Sequence, residues 1–388
     1  MIAAAAAFVP VAIWTYLVFG RGWFWRCRER DDAVGACLAE PQPWPSVVAV
    51  IPARDEAETI ARCLGSILRQ DYTGRFSIVV VDDQSSDDTG GAARAAALAA
   101  GAPERVRVLT GADLPQGWTG KLWAMRQGLA ALESGQEPPE FVLFTDADIA
   151  YGPQALRRLV AIAQAHDCVL ASLMVKLRCD SVAERWLTPA FVFFFQKLYP
   201  FAWVNDPRRA TAAAAGGCML VRREALGSAG GLEALRNALI DDCALAALMK
   251  RRGAIWLGST DSVQSMRAYP RFDDFRRMVA RSAFAQLRYS ALLLIGAVAG
   301  MVVTYVAPPL FAVFGRGPAQ AEGFIAWALM ALAFAPTLRH YRRPAAFGVA
   351  LPAVAAAYTI FTVDSALQHW RGRGGYWKGR FQASMSRV

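Results

Sequence analysis

Residues 46 to 70, "SVVAVIPARDEAETIARCLGSILRQ", change periodicity part-way along. From Ser46 to Ala53 the chain is apolar and rich in β-branched residues, the composition of a strand buried on both faces. From Glu56 onward the apolar residues recur at helical spacing, so a helix follows at once. "FSIVVVDD" (76 to 83), "RVRVLTG" (105 to 111) and "FVLFTDAD" (141 to 148) read as further strands, with helical patterns between them. The alternation predicts an α/β, Rossmann-like fold on a parallel sheet with helices on both faces. In such sheets the ligand lies beyond the carboxyl ends of the strands. Polar groups stand at three of those ends: Arg54 with Asp55 and Glu56, Asp82 with Asp83, and Asp146 with Asp148.

Composition adds a membrane. Of the 388 residues 55% are apolar, and a mean hydropathy of +0.25 exceeds what a soluble globule needs. The net charge of +10 comes mostly from arginines gathered near the apolar segments, which points to anionic headgroups and phosphate-bearing substrates, not nucleic acid. Seven cysteines without a C-x-x-C pair, and three histidines, point to a reduced cytoplasmic catalytic part without structural zinc.

Residues 2 to 20 carry no charge and lead into "RGWFWRCRER", so residues 1–20 read as an N-terminal transmembrane anchor and 21–45 as a basic juxtamembrane linker. The arginine excess after the anchor sets the catalytic domain, residues 46–288, in the cytoplasm. Residues 289–363 hold C-terminal membrane segments (289 to 314, about 323 to 338, and 345 to 363), and 364–388 form a basic tail. The chain reads as a multi-pass protein of the inner (cytoplasmic) membrane. Three C-terminal crossings would carry that tail outside, against the positive-inside tendency, so the last segment is alternatively re-entrant or interfacial. Helices of a soluble core are the competing reading.

Two carboxylates at i and i+2 on a strand end can share a hard divalent cation if the chain turns there. Mg²⁺ or Mn²⁺ held by few protein oxygens keeps positions for a diphosphate. An isolated D-x-D often only caps a helix, but the strand end favours the metal reading for Asp146 and Asp148.

At this point the sequence resembles the family 2 glycosyltransferases, inverting enzymes of the A-type fold. "VVAVIPARDEAETIARCLGSILRQDY" with "IVVVDDQSSDDT" looks like the nucleotide-binding half, "TDAD" like the D-x-D, and "LIDDCALAALMKRRG" like the acidic base motif. "GWTGKLWAM" with "RSAFAQLRYS" looks most like the hopanoid-biosynthesis-associated members. The resemblance implies a nucleotide-diphospho-sugar transferase domain between N- and C-terminal transmembrane helices, using a nucleotide diphosphate sugar, a UDP-sugar above others.

Residue by residue, it implies that Pro52, Ala53 and Arg54 border the base, with Arg54 where an aromatic residue is common, and that Asp83 accepts the imide N–H. Glu56 would cap the next helix and support the pocket. Asp82 reads as a solvated turn carboxylate, and Asp87 and Asp88 as caps for the helix at Thr89. Lys121 would reach the diphosphate, Asp146 the ribose and metal, and Asp148 the metal. Asp242 matches the catalytic base, with Asp241 replacing the usual glutamate before it; helix capping is the alternative for both. Gly216 and Gly217 would let backbone approach an acceptor, or form a flexible turn.

The Q-x-x-R-W motif of processive relatives is missing, the nearest match being Gln286 to Tyr289, which implies transfer of one sugar. Arg281, Gln286 and Arg288 would bind diphosphate or lipid headgroups, or simply snorkel. The aromatic run 191 to 203 fits an interfacial or a core helix. The reading is a membrane-bound, metal-dependent, inverting transferase acting on a lipid, plausibly a hopanoid or other isoprenoid. A polyprenyl-phosphate or sphingolipid-type sugar transferase and a non-catalytic nucleotide-sugar-binding scaffold are the alternatives.

Overall fold

The computed structural model describes residues 2–35, 38–133, 137–372, 376–377 and 380–381; Cys37 and nearly all of the basic tail beyond 372 lie outside the described residues. Eight strands form one sheet: β1 (Val47–Ala53), β2 (Phe76–Asp82), β3 (Val106–Thr110), β4 (Phe141–Thr145), β5 (Ile149–Tyr151), β6 (Cys168–Lys176), β7 (Cys218–Arg222) and β8 (Ala254–Ser265). Their order is β3-β2-β1-β4-β7-β6-β8-β5. The four strands expected from the sequence are all parallel to one another.

Past β4 the sheet departs from expectation. β7 runs antiparallel to β4 and β6, and β5 antiparallel to β8, so the sheet is mixed instead of parallel. β6 is an apolar run buried almost throughout, and such a run reads the same whichever way its neighbours point.

Helix Ala57–Leu68 buries Ile60, Cys63, Leu64 and Ile67 in the core that also holds Ile51, Val80 and Leu143 from the sheet. Each such side chain stabilises the fold by about 1.5–3 kcal/mol relative to exposure. The expected caps differ. Glu56 stands at the N-cap of this helix, but its side chain makes no cap bond, because the carboxylate is drawn to Thr59 and Arg267. Asp88, at the N-cap of helix Thr89–Ala99, sits in the left-handed region at φ 58° and also makes no cap bond. Asp87 instead accepts from Thr89 N–H at 3.2 Å and Ala57 N–H at 3.0 Å, tying two helix starts together.

The chain divides into two interleaved compact units. The sheet unit comprises Glu29–Leu177, Trp203–Arg267 and Tyr376–Val388, and the helical unit Met1–Arg28, Arg178–Ala202 and Ala268–Gly375. Within the sheet unit Arg30 bridges to Ser259, so part of the expected linker belongs to this body.

In the helical unit, Ala291–Phe314, Pro318–His340 and Ala345–Trp370 are each long and apolar enough to cross a membrane. The N-terminal expectation needs correction. The apolar helix there, Ala4–Gly20, has fewer than 18 residues, shorter than the three C-terminal helices. One face of it is packed: Trp14 is fully buried and donates from Nε1 to the Thr304 carbonyl at 2.8 Å, where the π-helical stretch Val302–Val306 loosens the backbone ladder, whereas Phe8, Tyr16 and Phe19 stay exposed. Helix Val182–Leu198, holding most of the aromatic run, is a core helix of this unit, with the Phe193 ring 5.3 Å from Phe24 and 5.1 Å from Phe334.

Candidate active site

The site gathers at the carboxyl ends of β1, β2 and β4. β4 stops at Thr145, the chain turns with Ile149 N–H on the Asp146 carbonyl at 3.3 Å, and β5 begins; Asp146 and Asp148 both fall in that turn. Lys121, in the first turn of helix Gly120–Glu133, places Nζ 2.8 Å from Asp146 Oδ1 and 3.3 Å from Asp241 Oδ2. Burial pulls Lys121 toward neutrality, but Asp146 and Asp241 outweigh it and hold the ammonium above its ordinary value. Burial in turn raises Asp146, Lys121 opposes this, and Asp148 adds to it.

Asp241 and Asp242 are the first two residues of helix Asp241–Lys250, whose N-cap is Ile240, so neither caps it. Asp242 Oδ2 accepts from Gly216 N–H at 3.0 Å and Oδ1 from Cys243 N–H at 2.7 Å. Burial first, and then the Asp241 charge, push the Asp242 carboxyl up from 3.8 to about 6, against Lys121 and the two N–H donors. A carboxylate with that value can accept a proton near neutral pH.

The two glycines separate. A Cβ on Gly216 would lie 3.2 Å from Lys121 Nζ and 3.4 Å from Asp242 Oδ2, so this glycine faces the polar cluster. On Gly217 it would lie 2.8 Å from Val175 Cγ2 and 3.2 Å from Ile149 Cδ1, which makes Gly217 a packing residue.

The nucleotide-side residues adjoin one another. Pro52 and Ala53 are buried in β1, and the Ala53 carbonyl accepts from Asp83 N–H at 2.8 Å. Arg54 donates from Nη1 to the carbonyls of Asp83 and Gln84. Asp83 is fully buried. Asp82 serves its own turn, accepting from Ser85 N–H at 3.0 Å. Arg281, Gln286 and Arg288 belong to the helical unit and are exposed there; Gln286 donates to the Tyr199 hydroxyl at 2.7 Å.

Sequence reasoning missed Arg267, which bonds both Asp148 and Glu56. Its only signal was a position just past an apolar strand, shared with many arginines here. The donor chemistry fits a divalent cation. Asp146 and Asp148 offer hard oxygens only, and Asp241 Oδ2 is buried without a hydrogen bond, meeting Lys121 solely as an ion pair. Among the described residues no group of three or more His, Cys, Asp or Glu side chains is arranged to hold a metal ion.

Residues 45–258, more than half of the chain, match the family model described as "Glycosyltransferase like family 2". The chain belongs to glycosyltransferase family 2. This glycosyltransferase is 31% identical over 194 residues to an N-acetylglucosaminyltransferase of Mesorhizobium japonicum. That match covers 48% of the chain and 41% of the relative, so the chain spans about two fifths of the relative's length. Its fold is similar to that of the mannosyltransferase PcManGT from Pyrobaculum calidifontis, solved in complex with GDP-Man and Mn²⁺, with TM-score 0.55 and 18% identity across 95% of this chain and 99% of that one. S. aureus TarS in complex with UDP matches with TM-score 0.40 and 15% identity, over 84% of this chain and 92% of that one.

Proposed function

We propose that this enzyme moves a single sugar, with inversion, from a nucleotide diphosphate sugar to the hydroxyl of a membrane lipid, a hopanoid or related isoprenoid. The observation that carries the reading is the carboxylate cluster around Lys121, with Asp242 held beside it by the Gly216 N–H and its carboxyl pushed up to about 6 by burial. The lipid acceptor is supported by the three membrane-length helices, and the hopanoid class by the motif pair "GWTGKLWAM" and "RSAFAQLRYS".

In this mechanism Asp242 takes the acceptor's proton as its oxygen bonds to C1 of the sugar, on the face opposite the diphosphate, and the C1–oxygen bond to phosphate breaks. Lys121 holds the diphosphate as a point charge. Gly216 fixes the Asp242 carboxylate through its N–H and keeps the approach open. Asp146 and Asp148 would hold Mg²⁺ or Mn²⁺, which supplies charge neutralisation for the departing phosphate. The Mn²⁺ of the Pyrobaculum mannosyltransferase supports this metal, and its GDP-Man stands beside UDP-sugars as a donor to test.

The test uses purified enzyme in nanodiscs with radiolabelled UDP- and GDP-sugars, Mn²⁺ and total lipid extract. Label in a chloroform-soluble product whose anomeric configuration is opposite to the donor's supports the reading. Release of free sugar alone, or transfer only to water-soluble acceptors, overturns it.

A further inference from the structure

β8 ends at Ser265, paired with Ile149 of β5, and Met266 N–H donates to the Asp148 carbonyl at 2.8 Å. That register brings Arg267 to the D-x-D turn, 119 residues away in sequence. Its Nε donates to Asp148 Oδ2 at 2.6 Å and its Nη2 to Glu56 Oε1 at 2.6 Å. Lys121 treats Asp146 in the same way at 2.8 Å. Each D-x-D carboxylate therefore carries a protein cation in ion-pair contact. The two sides of the Asp148 pair differ in freedom: the Asp148 side chain is 9% exposed, whereas the Arg267 side chain keeps 40% of its surface in solvent. The carboxylate is held by the fold, and the guanidinium is the partner with room to leave.

We propose that Arg267 is an exchangeable counter-ion for Asp148: it orients and neutralises the carboxylate before the divalent cation enters, yields it on entry, and then pairs with the donor's diphosphate. The inference rests on Asp148 being a metal ligand. A divalent cation arriving alone must displace Arg267 from Asp148, and the guanidinium then keeps Glu56 but loses one of its two charged hydrogen bonds, which weakens metal binding. A cation arriving with a diphosphate offers that guanidinium a new bidentate partner, so the displacement is offset. Metal and diphosphate affinities are thereby coupled, and each tightens the other by the same factor. A clamp that merely braced Glu56 would give no such coupling.

Free Mn²⁺ is followed by electron paramagnetic resonance during titration of wild type, Arg267→Met and Asp148→Ala, each alone and with saturating UDP or GDP. In wild type the nucleotide tightens Mn²⁺ binding. In Arg267→Met, Mn²⁺ alone binds about tenfold tighter than to wild type, since a charged hydrogen bond no longer competes for the carboxylate, and the tightening by nucleotide shrinks about tenfold. Arg267→Lys, which keeps the charge and loses the fork, falls between the two and serves if the methionine variant unfolds. Unchanged or weaker binding of Mn²⁺ alone to both variants overturns the proposal, as does undiminished nucleotide coupling or its absence in wild type. Asp148→Ala separates the two levels: if it binds Mn²⁺ with nucleotide as wild type does, the metal assignment itself fails; if it loses the metal while Arg267→Met matches wild type, only the exchange role fails.

Discussion

Replacing Asp242 by asparagine separates proton transfer from donor binding, and stability gives a second readout. With its carboxyl at about 6, Asp242 is about nine-tenths ionised at pH 7 and about one-tenth at pH 5. Wild-type turnover should therefore fall about ninefold across that interval, while the residual rate of Asp242→Asn stays flat. At pH 7 the variant should lose about 10²- to 10⁴-fold in kcat with donor affinity retained. For stability, a carboxyl raised from 3.8 to about 6 means that the native state holds the proton more tightly than the unfolded chain. This group's contribution is thus most favourable below pH 3.8 and declines as pH rises through about 6. By pH 7.5 the ionised form costs at most about 3 kcal/mol, and about 2 after allowing for residual solvent screening. Asparagine removes that cost but can accept from only one of the Gly216 and Cys243 N–H groups, a loss of about 1 kcal/mol. The variant should be about 1 kcal/mol more stable than wild type at pH 7.5, with no such gain at pH 4. Radiolabelled lipid glycosylation and thermal unfolding in nanodiscs check the two halves. Turnover within a few-fold of wild type, or an equal loss of donor affinity, would refute the base assignment.

Asp148→Ala should abolish Mn²⁺-dependent donor binding in calorimetry while leaving the unfolding transition of the apoprotein cooperative; Mn²⁺-dependent binding at wild-type strength would remove the ligand role. Asp83→Asn should weaken UDP about tenfold and pyrophosphate hardly at all, as loss of one charged hydrogen bond to the base requires; equal weakening of both argues against base readout. Gly217→Ala places a Cβ 2.8 Å from Val175 Cγ2 and should lower stability by about 1–3 kcal/mol, seen as a reduced Tm; an unchanged Tm would show that the core yields there. The arginines after residue 20 predict a cytoplasmic sheet unit, so protease should digest it in sealed inside-out vesicles, and protection there would reverse the orientation.

β1, β2 and β4 were legible in sequence because each is a compact apolar run closed by polar residues, among them Asp83, Asp146 and Asp148, and β3 through its alternation of apolar and polar residues. Lys121, Asp242 and Gly216 were singled out through motif resemblance, and the structure brings them into one cluster. What stayed hidden depends on register. Nothing local in "CMLVR" tells that β7 reverses against β4, and nothing in "SVQSMRAYP" marks Arg267 as the neighbour of a carboxylate that only the β5–β8 pairing brings near. The N-terminal helix is less plain in sequence: an uncharged stretch advertises burial without saying how much of it packs on protein, and Trp14 marks the face that does.

The mixed strand order also sets a timetable for biogenesis. β5 is complete at Tyr151, yet its partner in the sheet, β8, begins at Ala254, and the chain between them includes Arg178–Ala202 of the helical unit. At a synthesis rate of about 5–20 residues per second, the growing chain carries β5 without its strand partner for about 5–20 s. Unpaired edges of that kind recruit other chains. Codon changes that slow translation between residues 151 and 254 should therefore lower the yield of folded protein, although they leave the finished protein chemically identical.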